Sequence, residues 1–348
     1  MNSARFDEIV SRYPGLEVAL LGDFCLDRYF EIDPARREVS IETGLPVHNI
    51  ARTRCQPGGA GTILNNLAAL GAGEIHPVGF CGEDGEGWEL RRAMGALAGV
   101  KLEHFFSTPE RKTFTYSKPL VISPPRPPVE LNRLDTKNWT ATPASVERRL
   151  RESVREISLS AGALIVLDQV DLPDTGVVTR GVLAALGEAA AARPDLVAIA
   201  DSRQGLAGFP PVIFKMNAAE LSRISGNQPS SEPHSLDVEA IRALAASLAR
   251  RNRRPVFVTL AERGIVGASP SGETASVPAL PVRGEIDIVG AGDAVTANLA
   301  VALAAGATLR EAMELASAAA SVVIHMLGTT GTASVAAIRE RLQPHLDG

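Results

Sequence analysis

The sequence predicts an α/β protein built as a three-layer sandwich, a mostly parallel central sheet with helices on both faces and a small separate sheet beside it. Three observations carry this. Short β-branched apolar runs alternate with helical stretches, the order expected of a parallel sheet covered on both sides. Two long segments interrupt the alternation with extended periodicity. The last third of the chain turns wholly helical.

The elements follow in order. Phe6, Ile9, Val10 and Tyr13 share one face of a short N-terminal helix. Apolar runs at 18–22, 163–167, 196–200, 212–216 and 256–260 are bounded by turn residues and read as buried parallel strands. Between them, 144–158, 176–192 and 237–252 have helical spacing. The interrupting segments, 29–56 and 105–138, keep Val, Ile, Phe and Tyr in alternation, with extended pieces at 38–41, 113–121 and 129–134. They are expected to pair into a small separate sheet, disordered surface loops being the alternative. Helices at 293–305, 309–326 and 333–344 close the chain, with Gly306 and Gly328 as stops.

Length and composition set the outer bounds. The 348 residues, 45% hydrophobic and 22% charged, suit one domain over 1–348 with a sizeable core. A net charge of -5 offers no basic field for nucleic acid or an anionic membrane surface. Cys25, Cys55 and Cys81 are odd in number and lack CxxC spacing, so neither a disulfide framework nor a zinc site is expected, and a reducing cytoplasm is. The N-terminus shows no basic-then-apolar leader pattern. The Ala-rich stretch 294–309 comes nearest to a membrane span, but Thr296 and Asn298 interrupt it and Arg310 ends it.

Polar residues gather where the strands end. Asp23 and Asp27 follow the first run, Asp168 the second, Asp201 the third, and Asn217 and Glu220 the fourth; Thr259 stands in the last. Such residues commonly cap helices and turns. Five instances on one edge favour a ligand site there, because parallel sheets bind ligands beyond their carboxyl ends. The sharpest local pattern is Asp287-Ile288-Val289-Gly290-Ala291-Gly292-Asp293, small residues opening a long helix. Backbone amides in such a turn can approach an anion, and the helix dipole favours both the anion and an ionised Asp293. A carboxylate there suits a base that takes a proton from a hydroxyl attacking phosphorus. A helix cap with glycines for tight packing accounts for the same residues equally well. No GxxxxGK[ST] is present, and no GxGxxG follows a strand. Gly58-Gly59-Ala60-Gly61 leads into a helix holding Leu64, Leu67 and Leu70. The six histidines do not cluster at metal-ligand spacing.

In this order and spacing the motifs resemble the ribokinase-like, phosphofructokinase-B type carbohydrate kinases, and within them most resemble the heptose 7-phosphate kinases, from about residue 16 to about 335. The resemblance rests on the opening stretch from Gly22-Asp23-Phe24 to Asp27-Arg28-Tyr29, on Pro57-Gly58-Gly59-Ala60-Gly61 and on Asn217-Ala218-Ala219-Glu220. It rests also on Val258-Thr259 with Gly264, on Gly290-Ala291-Gly292-Asp293 and on Leu327-Gly328-Thr329. It implies an ATP-dependent kinase acting on a sugar or sugar phosphate. Asp293 would be the base, and Gly290, Ala291 and Gly292 the anion hole. Asp27, Gly58, Gly59 and Thr62 would face the sugar, and Thr259, Gly264 and Ser317 the nucleotide. Asn217 and Glu220 would organise the Mg²⁺–phosphate region, Glu220 through water, and K⁺ would sit near the loop of Asp287. The segments 29–56 and 105–138 would form a β-lid that also joins two copies as a homodimer. This chain departs from the family at Thr62, where Asn is usual, at Ala261, where Gly is usual, at Ile288 and Val289, where Thr is usual, and at Met216 and Ser317. A short hydroxyl at Thr62 and the lid cations Arg36, Arg37, Lys112, Lys118 and Arg126 together favour an acceptor that already carries a phosphate. A sugar- or nucleotide-binding regulator without turnover, and a nucleoside kinase, are the alternatives on the same fold.

Overall fold

The computed structural model describes residues 1–226 and 237–346. The chain opens with α1 (Ser3–Val10), β1 (Glu17–Gly22), β2 (Phe24–Val39), β3 (Pro46–Gly59), α2 (Ala60–Leu70), β4 (Glu74–Gly82) and α3 (Gly85–Gly95). It continues through β5 (Phe105–Thr108), β6 (Phe114–Val121), β7 (Val129–Glu130), β8 (Leu134–Thr136), α4 (Ala144–Ile157), β9 (Ala163–Asp168), α5 (Arg180–Ala192), β10 (Val197–Ser202) and β11 (Ile213–Asn217). It ends with α6 (Ala218–Ile224), α7 (Val238–Asn252), β12 (Val256–Thr259), β13 (Ile265–Ala268), β14 (Thr274–Val277), α8 (Ala291–Ala304), α9 (Leu309–Val323) and α10 (Val335–Leu346).

Nine strands form the large sheet, in the order β14-β13-β12-β11-β10-β9-β1-β4-β5. From β12 to β5 every neighbouring pair is parallel, so those carboxyl ends share one edge. The five apolar runs of the sequence are β1 and β9 to β12, side by side. They read as continuous apolar stretches because helices cover both faces. On one face α2, α8, α9 and α10 bury Leu64, Leu67, Met313 and Ile338; on the other α4, α5 and α7 bury Leu150, Val154, Leu186 and Ile241. Helix α8 is buried on all sides from Ala294 to Ala302, which is why its sequence is apolar throughout. No helix among the described residues is long and apolar enough to cross a membrane.

Four strands escape the sequence reading. β4 carries His76, Pro77 and two glycines, a composition that reads as loop. Pro77 is nonetheless accommodated in the middle of the β1–β4 ladder, opposite Leu20. β5, β13 and β14 are only four residues each.

The second sheet holds five strands, in the order β3-β2-β6-β7 with β8 also on β6. β2 runs antiparallel to β3 and parallel to β6. It draws on both interrupting segments, with boundaries that differ from those expected. Its long strands begin at Phe24 and end at Gly59, reaching down to the large sheet. Residues 105–108 leave it altogether and pair with β4. The reason is aromatic burial: Phe105 packs edge-on to Phe24, 5.2 Å between centroids, and Phe106 lies against Phe80. At the far end of the second sheet Val39, Ile41, Leu45 and Ile50 are exposed. Near its base Arg28 pairs with Glu86 and Glu89 of α3, and the Cys55 thiol donates to Glu89 at 3.1 Å.

Candidate functional site

The site begins where β1 hands over to β2. Asp23 is buried and accepts backbone N–H bonds from Gln169 (2.8 Å) and Val177 (2.7 Å); burial pushes its carboxyl up while those bonds oppose the shift. Asp27, four residues on, is buried with Lys118 Nζ at 3.1 Å. Burial pulls the Lys118 ammonium down, but Asp27 and the Tyr29 hydroxyl, 3.3 Å away, outweigh it and the net shift is upward. Gly58 faces Asp27 so closely that a Cβ there would stand 2.5 Å from Asp27 Oδ2. Gly59 has φ +58°, and a Cβ on it would stand 2.5 Å from the Asp23 carbonyl. Glycine at both positions is therefore a packing requirement. Nearby, Asp168 accepts from Ser202 Oγ at 2.7 Å, and burial, with Asp23 beside it, pushes its carboxyl up to about 7.

Across the cleft stands the N-terminus of α8. Gly290 caps it in the left-handed region at φ +83°, with Thr62 Cγ2 3.4 Å and Thr330 Cβ 3.6 Å from where a Cβ would be. Beneath this turn lies Lys215, buried on β11, its Nζ 3.2 Å from the Cβ position of Gly292. Lys215 pairs with Asp201 on β10 at 2.6 Å. Thr296 donates its hydroxyl within 3.0 Å of the Gly292 carbonyl and 3.3 Å of Asp201 Oδ2. The ammonium is a fixed positive charge under the amides of the helix terminus.

Asp293 occupies the first turn of α8. The dipole of that turn was expected to favour its ionised form. Loss of water instead pushes Asp293 up to about 7: Lys215 opposes the shift, and the carboxylates of Asp201 and Asp27 add to it. Its carboxylate keeps some exposure toward the cleft, but the crowding of protein around it dominates. The result is a carboxyl poised between its two protonation states near neutrality, within electrostatic reach of Asp27.

Beside the turn opens a cavity of about 560 Å³, lined by Asn217, Thr259, Gly264, Ala291, Gly292 and Ser317, with apolar walls from Leu280, Ile288 and Ile324. Gly264 has φ +94°, and a Cβ there would collide with the Val277 carbonyl. Ala261 adopts φ +51°, a strained conformation for a residue with a side chain, at the position where the family resemblance leads one to expect glycine. Asn217 and Glu220 form a reciprocal capping box on α6, at 2.7 and 2.9 Å. That geometry engages one oxygen of Glu220 and leaves the other for water. Ser317 donates to the Pro278 carbonyl at 3.3 Å, and Asp287 Oδ1 accepts the Val289 N–H at 3.1 Å, closing its own turn. Among the described residues no group of three or more His, Cys, Asp or Glu is arranged to hold a metal by itself.

Asn217, Thr259, Gly264, Ala291, Gly292 and Ser317 thus line one cavity; Thr62 approaches Gly290 beside it. Asp293 lies within electrostatic reach of Asp27, which Gly58 faces, and Gly59 follows against the Asp23 carbonyl. Asp287 lies in the loop leading to that cavity. The sequence reading missed the Lys215–Asp201 pair. Its signal was a lysine inside the apolar run 212–216, a position that burial permits only with a partner charge.

The strands' carboxyl ends share one edge of the sheet, and the glycine turn that opens α8 borders a cavity with largely apolar walls; no GxxxxGK[ST] loop is present in the sequence. The chain belongs to the pfkB family of carbohydrate kinases, whose profile matches residues 24–335, and it is an ATP-dependent enzyme of that class. It is similar to the bifunctional protein HldE of Azorhizobium caulinodans, 32% identical over 90% of this chain and 61% of that protein. The HldE protein of Gluconacetobacter diazotrophicus is 31% identical over 95% of this chain and 64% of that one. The chain therefore spans less than two thirds of these relatives' length. In fold it resembles an Arabidopsis thaliana ribokinase solved with ribose and ATP (TM-score 0.67, 22% identity, 94% of this chain and 99% of that one). It also resembles Escherichia coli phosphofructokinase-2 solved with substrates and products (TM-score 0.71, 19% identity, 96% and 100%).

The buried pair makes a stability prediction. Lys215→Met leaves the part-buried Asp201 without its cation and is expected to cost about 1–3 kcal/mol. Adding Asp201→Asn should restore most of that loss. Urea denaturation of both variants checks it, and a double variant no more stable than the single one would contradict the pairing.

Proposed function

We propose that this kinase transfers the γ-phosphoryl group of ATP to a hydroxyl of a phosphorylated sugar, of which heptose 7-phosphate is the nearest by resemblance. The observation that carries the reading is Asp293 standing beside the Gly290–Gly292 turn, with the Lys215 ammonium beneath it. The acceptor lies between the walls of the cleft. Asp27, Gly58, Gly59 and Thr62 hold its hydroxyls, and Asp293 accepts the proton of the one that reacts. As that oxygen bonds to the γ-phosphorus, the bond from phosphorus to the β,γ-bridging oxygen breaks and its electron pair leaves with ADP. The amides of Gly290, Ala291 and Gly292, the α8 dipole and Lys215 stabilise charge on the transferring group. Thr259, Gly264 and Ser317 border the nucleotide, whose base suits the apolar walls.

The donor set fits Mg²⁺ held largely by water and phosphate oxygens, since Glu220 offers one free carboxylate oxygen and Asn217 stands beside it. When bound, the ion neutralises phosphate charge. Asp287 keeps one oxygen free for K⁺ near its loop. Of the cations considered for the acceptor's own phosphate, Lys118 faces the cleft beside Asp27, whereas Arg36 pairs with Asp33 on the outer part of the sheet. The exposed Val39, Ile41, Leu45 and Ile50 support a homodimer formed through the second sheet, which then acts as a lid. Three cysteines without a disulfide suit a reducing compartment, the cytoplasm.

Asp293→Asn keeps size but accepts no proton, so kcat is expected to fall roughly 10²–10⁴-fold with nucleotide affinity retained. In the unsubstituted enzyme kcat/KM should rise with pH and level off above about 7, because the base works only after losing its proton. Near-normal kcat in the variant at saturating substrate would reject the assignment. For the acceptor, kcat/KM is compared within matched pairs, heptose 7-phosphate against heptose and fructose 6-phosphate against fructose. The phosphorylated member should win in at least one pair, and a variant lacking the Lys118 ammonium should lose that preference; equal or better turnover of the plain sugar in both would sink the reading. For the assembly, sedimentation should give a dimer that Ile41→Asp converts to monomer. A monomeric mass for the unsubstituted chain across micromolar concentrations would refute it.

A further inference from the structure

The second sheet and the segment after α9 meet at one side chain. Gln56 lies on β3, directly opposite Asp27 in the β2–β3 ladder. Its amide nitrogen donates to Thr330 Oγ1 at 2.5 Å, and its carbonyl oxygen accepts from the Thr329 hydroxyl at 3.3 Å. One planar amide therefore holds two adjacent threonines 273 and 274 residues away in sequence. Thr330 in turn backs Gly290: its Cβ and Cγ2 lie 3.6 and 3.7 Å from the position a Gly290 Cβ would take. The other end of the segment is pinned by Asn66, fully buried on α2, which accepts the Ala333 N–H at 3.3 Å and donates to the Gly331 carbonyl at 3.5 Å. The segment is thus fixed at its far end, and its near end is set by Gln56. Gln56 is only half-buried, so core packing does not demand an amide there.

We propose that Gln56 is a positioning residue that couples the wall carrying Asp27 to the helix terminus that receives the nucleotide phosphates. Asp27 and Gln56 share a rung of a hydrogen-bonded ladder, so they move as one body. Thr330 faces the glycine whose left-handed turn aims the α8 amides, across a gap that a single Cβ would fill. Phosphate charge at that turn fixes Gly290 and Thr330, and Gln56 passes the restraint to β3 and β2. Coupling of this kind is reciprocal: a ligand held by Asp27 steadies the anion-binding turn by the same amount. The threonines suit the role because β-branched side chains have few rotamers to absorb a displacement. The inference rests on the ATP-dependent kinase reading and not on the identity of the acceptor.

Amide hydrogen exchange on the full chain, with and without the Mg²⁺ complex of a non-hydrolysable ATP analogue, tests it. In the unsubstituted protein exchange should slow both at 259–265, which borders the nucleotide cavity, and at 52–59 on β3. The second effect should reach about 5-fold or more, the lower end of typical coupling between sites. Gln56→Leu, similar in volume and unable to hydrogen bond, should keep the protection at 259–265 and lose that at 52–59. Thr330→Val should behave the same way without touching the second sheet. Gln56→Glu still accepts from both hydroxyls and should retain both effects. Undiminished protection of 52–59 in Gln56→Leu and Thr330→Val would overturn the proposal, as would its absence from the unsubstituted protein while 259–265 is protected. No protection at 259–265 would overturn the nucleotide placement and this inference with it. Failure of every sugar phosphate as acceptor would leave the exchange result standing.

Discussion

The architecture depends on one close approach of backbone to backbone, where the second sheet is rooted in the first. The Ala60 N–H donates to the Asp23 carbonyl at 3.0 Å, and Gly59, one residue earlier, turns through a positive φ directly against that carbonyl. Gly22 on the preceding strand passes so near β9 that a Cβ would stand 2.7 Å from the Leu167 carbonyl. Three glycines, 22, 58 and 59, therefore allow β2 and β3 to leave the core at this place and at this angle. Side chains there would push the strands apart, and Asp27 would no longer face α8. The cleft is a product of that junction.

Charge is distributed unevenly around the site. Asp23, Asp27, Asp168, Asp201 and Asp293 crowd one region, and two buried or half-buried lysines answer them, Lys118 on one wall and Lys215 under the other. Carboxylates outnumber ammonium groups. Burial raises Asp168 and Asp293 to about 7, and the neighbouring carboxylates, Asp23 for the first and Asp201 and Asp27 for the second, add to the shift. Lys215 stands under the amide-bearing turn of α8 and Lys118 beside Asp27, so the two positive charges lie on different elements of the site.

What the sequence disclosed follows from what is periodic or local. β1 and β9 to β12 are buried on both faces, so each appears as an unbroken apolar run, and the turn at 290–293 announces itself through adjacent small residues. β4 was hidden because its neighbours, and not its own propensities, hold His76 and Pro77 in a strand. The long strands β2 and β3 were recognised as extended, but their roots at Phe24 and Gly59 lie inside motifs that look like turns. Contacts between distant residues left little trace. The Lys215–Asp201 pair needs the register of two adjacent strands, and the Gln56–Thr330 contact joins opposite ends of the chain. The protonation of Asp293 was misjudged because a helix dipole can be read from order along the chain, whereas desolvation depends on everything folded around it.

The setting of Cys55 has a chemical consequence. Its thiol donates to Glu89 beside the Arg28 guanidinium, and burial, reinforced by that carboxylate, pushes it up to about 11. Cys25 and Cys81 are buried more deeply, and burial raises them as well. Oxidants and alkylating agents attack the thiolate, so at neutral pH all three sulfurs are held in their unreactive form. A half-exposed cysteine three residues from Gly58 would otherwise be an obvious point of oxidation. The same glutamate that anchors Arg28 keeps that sulfur inert, and the wall can persist through redox fluctuation without a disulfide to protect it.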